Sequence, residues 1–477
     1  MAIKNLGKQT LIYGLGHIMA RLVTFLLLPL YTHTFTQEEY GAISLAYAFM
    51  GFAIILYRYG MDTALMKFSI QSNGVDQKQY TSVIIITQFI TSIIFSLILY
   101  LLRYDIAEFV LGINRPDWML SLIIILFLDA FWNLPMLILR SEEKAITFIS
   151  FSLVNVTITM ALNIYFVVHL NDGVDGVLKA NIIASGLVSL LSLPIIFRIT
   201  KIKFFKKKIL LKVLYFSLPF LPAGIFTMIM ELSDRYIIEW LLGTAEVGLY
   251  SAGKKMGMLG LTAVMGFNMG WTPFFLKRGK NKNAKKEFKI ITTIFLGVMG
   301  YVCFLVSLWI SELMQFSVFG STLIGVEFWD CEPIVSLILL GYFFFGTYVI
   351  QLPGVYIKEI TGWIPLFRII GASVLVLSSI IIIPIFGIYG AAIAVVIAFF
   401  SMSLSIYLKV QTVYSVSYNW KGIIFPILVL LLAQIKFDAV LYKLLFSLIF
   451  PFAWLLFATD KQEREILKNQ FPLFFKK

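Results

Sequence analysis

Eight cations stand inside long apolar stretches of this chain: Arg21, Arg58, Lys179, Arg235, Lys254, Lys255, Arg368 and Lys443. Bringing Arg or Lys to the bilayer centre costs about 3 kcal/mol on insertion scales, so such residues pair, snorkel to the surface or face a watery cavity. A cavity lined by cations takes an anionic ligand. Arg offers two parallel donors to a phosphate and Lys a point charge. Helical spacing sorts the eight. Arg235 has Glu231 and Glu239 at i−4 and i+4, Arg58 has Asp62 at i+4, and Lys179 has Asp175 at i−4, spacings that allow an ion pair on one helix face. Arg368 and Lys443 lie near helix ends and are expected to snorkel. Arg21, Lys254 and Lys255 have no acidic residue one helical turn away. Their alternatives are an inter-helix salt bridge to Asp129 or Asp234, or an anion site. The substrate candidates are therefore Arg21, Arg58, Arg235, Lys254 and Lys255. Asp62, Asp129 and Asp234 are candidate counter-ions or, because burial raises a carboxyl pKa, proton or sodium coupling groups.

The elements that carry these residues follow from composition. The 477 residues are 60% hydrophobic and 14% charged, with mean hydropathy +0.89, outside the range of soluble domains. Spans of about 20 apolar residues mark transmembrane helices, and fourteen such stretches run from Thr10–Tyr31 to Val440–Ala458. They include Gly41–Met66, Val213–Leu242, Gly248–Thr272 and a short thirteenth, Gly422–Gln434. An all-α polytopic membrane protein is predicted, since nothing alternates as a β-barrel strand would. Thr10–Tyr31 is too long for the core of a signal peptide and is expected to remain as the first helix. With a cytoplasmic N-terminus, 28 of the 39 Lys and Arg fall in inner segments and only Arg103, Arg115 and Lys436 in outer ones. Both termini are then cytoplasmic. The net charge of +13 is mostly this topological signal, and nucleic acid is not implied. Cys303 and Cys331 form no disulfide or metal pattern, the three histidines are scattered, and no P-loop or Gly-x-Ser-x-Gly is present. No enzyme, metal or cofactor is expected.

The chain repeats itself. Gly173–Ala184 and Gly387–Ala398 share five identities in twelve at an offset of 214, and Thr36–Ser44 matches Thr244–Ser251 with one gap, at 207 from the aligned glycines. An offset of six helices keeps both halves in the same direction across the membrane, as parallel repeats. Residues 1–197 and 213–410 are thus expected as two six-helix lobes, helices 1–6 and 7–12, around a central cavity. Residues 198–212 are the basic cytoplasmic linker, and 411–477 hold helices 13–14 and a cytoplasmic tail. Gly14 and Gly16, and Pro219 and Pro222, stand in corresponding helices as candidate hinges.

The run from Leu11 to Gly16, Phe25–Thr32, Glu38–Gly41, and the segment Asp234–Ile238 with Gly243–Ser251 and Lys254 resemble Wzx-type polysaccharide flippases of the multidrug/oligosaccharidyl-lipid/polysaccharide exporter superfamily. That resemblance implies a bacterial inner-membrane flippase moving undecaprenyl-diphosphate-linked oligosaccharide outward for O-antigen, capsule or other surface polysaccharide. It implies diphosphate binding by the cavity cations named above. Alternating access, driven by a proton or sodium gradient or by downstream consumption, is the implied mechanism. A polysaccharide polymerase and a chain-length regulator are the implied partners, besides the lipid bilayer. The alternatives are a drug/cation antiporter of the same superfamily, for which carboxylates would dominate the site, and a flippase for another cell-wall lipid precursor. A membrane polymerase or glycosyltransferase would need a longer outer loop than Ser311–Glu332.

Overall fold

The computed structural model describes residues 25–470 apart from 73, 143, 280, 319 and 436–438. It is all-helical but for one two-residue hairpin pairing Ser317–Val318 with Ser321–Thr322. Eleven of the described helices are long and apolar enough to cross a membrane, and Trp420–Leu432 is a shorter apolar helix. The protein is an all-α polytopic membrane protein. Of the first expected span only residues 25–31 are described, and they are helical.

Two compact units divide at Gly248. In the first, residues 25–34 (α1) lead to Gln37–Arg58 (α2), Met61–Gln71 (α3), Gly74–Leu111 (α4) and Pro116–Ser141 (α5). Ala145–Asn163 (α6), continued by a π-helical stretch to His169, precedes Gly173–Ile199 (α7), Lys207–Ser217 (α8) and Phe220–Leu242 (α9). Thr36 caps α2 in a reciprocal capping box with Glu39. The expected span Gly41–Met66 is broken: α2 stops at Arg58, and Tyr59 and Gly60 take φ of 29° and 80°. Gly60 is needed there twice over, because a Cβ would also meet the Ser217 carbonyl. The eleven-residue α3 then packs Met61 and Leu65 against Ile84, Leu134 and Val213. The seventh stretch is likewise two helices, α8 and α9, parted at Leu218–Pro219.

The two copies of the Thr36 and Thr244 motif touch inside this unit. A Cβ on Gly41 would strike the Thr244 carbonyl, and one on Gly248 the Gln37 carbonyl. Gln37 and Thr244 are separated by the same 207 positions as the two glycines. Residues 207 positions apart thus meet reciprocally at this contact.

In the second unit, Thr244–Arg278 (α10, which begins before the division) is followed by Ala284–Leu308 (α11), Ile310–Gln315 (α12) and Glu332–Ile357 (α13). Trp363–Phe386 (α14), Ile388–Val413 (α15), Trp420–Leu432 (α16), Val440–Ala453 (α17) and Lys461–Gln470 (α18) complete it. Small residues let α10 approach α13: Gly253, Gly257 and Gly260 face Cys331, Ile338 and Leu339. The basic end of α11 is clasped by the α17–α18 junction. Lys289 pairs with Asp460 at 2.7 Å, and the fully buried Glu463 accepts from Thr293 Oγ1 at 2.7 Å and Asn419 Nδ2 at 2.8 Å.

Candidate functional site

The expected same-helix ion pairs do not form. Arg58 and Asp62 fall on either side of the Tyr59–Gly60 turn, and Asp62 accepts instead from the Thr63 backbone at 2.8 Å. Arg58 Nε is buried without a hydrogen-bond partner, and the acidic groups whose charge reaches it are Asp62 and Asp129. Arg235, on the face of α9 that meets α2, donates from Nη1 to the Ser44 carbonyl at 3.2 Å, while its Nε is also buried and unpartnered. Glu239, one of its expected partners, takes the Thr244 hydroxyl at 3.0 Å. Lys179 bonds Asp172 at 2.7 Å, because Asp175 is occupied by Arg115 and Trp118. Lys443 does not snorkel: it is 6% exposed and pairs with Glu312 at 2.7 Å.

The first unit also holds polar groups along the interior faces of its helices. Asp129 accepts from Ser185 Oγ at 2.7 Å and Trp132 Nε1 at 2.9 Å. The Tyr47 hydroxyl accepts from Asn181 at 3.0 Å and is hydrogen-bonded to Tyr31, which donates to Asn163 at 2.8 Å. Gln88 Oε1, Asn133 Nδ2 and Asn155 Oδ1 are buried and unsatisfied on the neighbouring helices α4, α5 and α6. A buried polar atom left unmet is one that water or a ligand can complete. Asp234 is fully buried and accepts from the Arg235 backbone at 3.0 Å.

Lys254 and Lys255 belong to the second unit. Lys254 is 6% exposed, beside the glycine face of α10, with its ammonium 5.7 Å from the Tyr250 ring centre. Lys255 is half-buried. Arg21 lies outside the described residues. Within the first unit the structure thus brings together Arg58, Asp62 and Asp129, and places Arg235 and Asp234 on α9.

A sequence model of the polysaccharide biosynthesis protein family matches residues 6–278, more than half of the chain. The chain belongs to that family. A protein of the Lsg locus of Haemophilus influenzae, Lsg locus protein 1, is 23% identical over 356 residues, 71% of this chain and 84% of that protein. Two solved structures share the fold. The lipid II flippase MurJ in an inward closed conformation superposes with a TM-score of 0.72 at 13% identity, covering 98% of this chain and all of that one. An inward-facing multidrug resistance transporter of the MATE family gives 0.66 at 16% identity, covering 83% and 97%. The polar partners Tyr31, Tyr47, Asn163, Asn181 and Ser185 carry no charge and are not among the residues that the pattern of charges in the sequence points to. Their signal was there as amide, hydroxyl and phenol groups at the depth of apolar spans.

Proposed function

We propose that the protein is a flippase that moves undecaprenyl-diphosphate-linked oligosaccharide across the bacterial inner membrane for surface polysaccharide biosynthesis. One observation carries the reading: Arg58 and Arg235, both within apolar helices, each keep a buried guanidinium Nε without a partner. A buried donor left unmet costs about 1–3 kcal/mol, more when charged, so a ligand rich in acceptor oxygens is favoured there. A diphosphate supplies those oxygens. Arg21, Lys254 and Lys255 are the further cations assigned to it. Alternating access presents the headgroup first to one face of the membrane and then to the other, while the polyprenyl tail stays in lipid. The family assignment and the fold shared with a lipid II flippase support this reading over an enzyme.

A second reading is favoured by Asp129. A carboxylate held by Ser185 and Trp132 and coupled to Arg58 suits a proton or sodium site, as an antiporter of the same fold would need. It coexists with flipping if the ion drives transport.

Complementation decides between them. A flippase-deficient strain should regain surface glycan with the wild-type chain and lose it with Arg58→Ala, Arg235→Ala, Arg21→Ala or Lys254→Ala/Lys255→Ala at matched membrane levels. Full glycan from all four variants sinks the diphosphate site. Drug resistance conferred without any glycan supports the antiporter. Reporter fusions at Lys203 and Ser321 test orientation, with the former active in the cytoplasm and the latter outside.

A further inference from the structure

A cavity of about 320 Å³ opens in the second unit among Glu312, Gln315, Glu332, Ser336, Gln434 and Lys443. It lies at the Leu308 end of α11. The length of that helix separates it by roughly 29–35 Å from the basic run at Lys285–Lys289. The charge bias therefore puts the cavity on the outer side of the membrane. Its size is at the low end for small-molecule sites, about 300 Å³.

A charge pair lines the cavity. Lys443 Nζ donates to both oxygens of Glu312, at 2.7 and 2.9 Å, with the Lys443 side chain 8% exposed and that of Glu312 38%. Two bonds leave one ammonium N–H for a ligand. Gln434 spends an amide N–H on the Leu430 carbonyl and keeps its oxygen as acceptor. Ser307, in the wall, is 5% exposed and its hydroxyl has no partner. The cavity thus mixes donors with acceptors. The Lys443–Glu312 pair is neutral as a unit, so it calls for neither a phosphate nor an amine.

We infer that this cavity binds an uncharged, hydroxyl-rich ligand, a single sugar residue, on the outer side of the membrane. Adjacent sugar hydroxyls both donate and accept, which matches the mixed wall, whereas a phosphate or an ammonium matches only half of it. Where the sugar comes from rests on the flippase reading; the site itself does not.

The test uses the full-length protein in lipid nanodiscs and saturation-transfer NMR with methyl glycosides of glucose, galactose and N-acetylglucosamine. Inorganic phosphate, watched by 31P line broadening, and ethanolamine serve as counter-probes. Wild type should transfer saturation to at least one glycoside. Glu312→Gln/Lys443→Met, which removes both charges together, should weaken that signal roughly tenfold, the loss of a charge-assisted hydrogen bond. Ser336→Trp, which fills the cavity and leaves the pair intact, should abolish it. A cooperative thermal melt confirms that each variant is folded. Equal signals in wild type and both variants, no glycoside signal in wild type, or binding of phosphate or ethanolamine instead would overturn the proposal. Surface glycan in the complemented strain then identifies the source. A fall with the double variant assigns the sugar to the transported lipid, and no change assigns it to free saccharide. Because the NMR needs no transport, failure of this site and failure of the flippase reading are separable.

Discussion

Charged residues inside these helices fall into two kinds. Lys443 is satisfied by Glu312, whereas Arg58 and Arg235 keep unmet N–H groups. The distinction has measurable consequences. Removing one member of a buried pair strands the other, so Lys443→Met should cost about 1–3 kcal/mol, below the fully buried figure because Glu312 is over a third exposed. Glu312→Gln/Lys443→Met should recover most of that loss in a thermal melt, and equal losses from the single and double variants would contradict the pairing. Arg58→Ala predicts the opposite pattern. With no ion pair to break, stability should hold or rise while substrate binding falls about ten- to a hundredfold, as expected for a lost charge-assisted contact. Arg58→Lys should recover part of it through charge alone, without the two-pronged geometry of a guanidinium. Titration of the purified protein with a soluble polyprenyl diphosphate analogue gives that comparison.

Individual elements are placed by small residues more than by large ones. The first turns of α2 and α10 meet through Gly41 and Gly248, each against the carbonyl region of the other motif. Any side chain there must push two backbones apart, and backbones do not yield as a flexible side chain does. Gly41→Val is therefore expected to destabilise by about 1–3 kcal/mol or more, and Gly248→Val by a similar amount since the contact is reciprocal. A Cβ on Gly186 would meet only the Leu128 side chain, at 3.9 Å, so Gly186→Val should be far milder. Melting temperatures in one detergent settle the comparison; a Gly41→Val protein as stable as Gly186→Val refutes the close crossing.

For the molecule as a whole, the loops decide which helix ends are held. Glu142 joins the α5–α6 loop to the end of α7, where its partial burial is outweighed by Lys144 and Arg198, which keep its carboxyl below the usual range. Asp460 is similar. Burial raises its pKa, but the Lys289 ammonium and the Glu463 backbone N–H lower it further than that. A carboxyl depressed in the folded state stabilises above its unfolded pKa, about 4, and loses that effect as pH falls through the folded value. Lys289→Ala should thus melt below wild type at pH 7, with the gap closing under about pH 4. A gap that persists at pH 3 would show that Lys289 acts through packing and not through Asp460.

Class, span positions and the 207-residue repeat are legible in the linear chain, because hydropathy and internal similarity are properties of neighbours along it. The repeat aligns Gly41 with Gly248, but that the two motifs touch is seen only in the structure. Ion pairing is not legible in that way. Spacing of four assumes one unbroken helix, and the turn at Tyr59–Gly60 cancels it for Arg58 and Asp62, just as Trp118 and Arg115 divert Asp175 from Lys179. Lys443 and Glu312 stand 131 positions apart, so no local pattern could join them. Partners of a buried charge are chosen across helices, where the cost of desolvation is met by whichever group packing brings within reach. Local pattern made this chain a membrane helix bundle with misplaced-looking cations; tertiary packing alone decided which of them were satisfied.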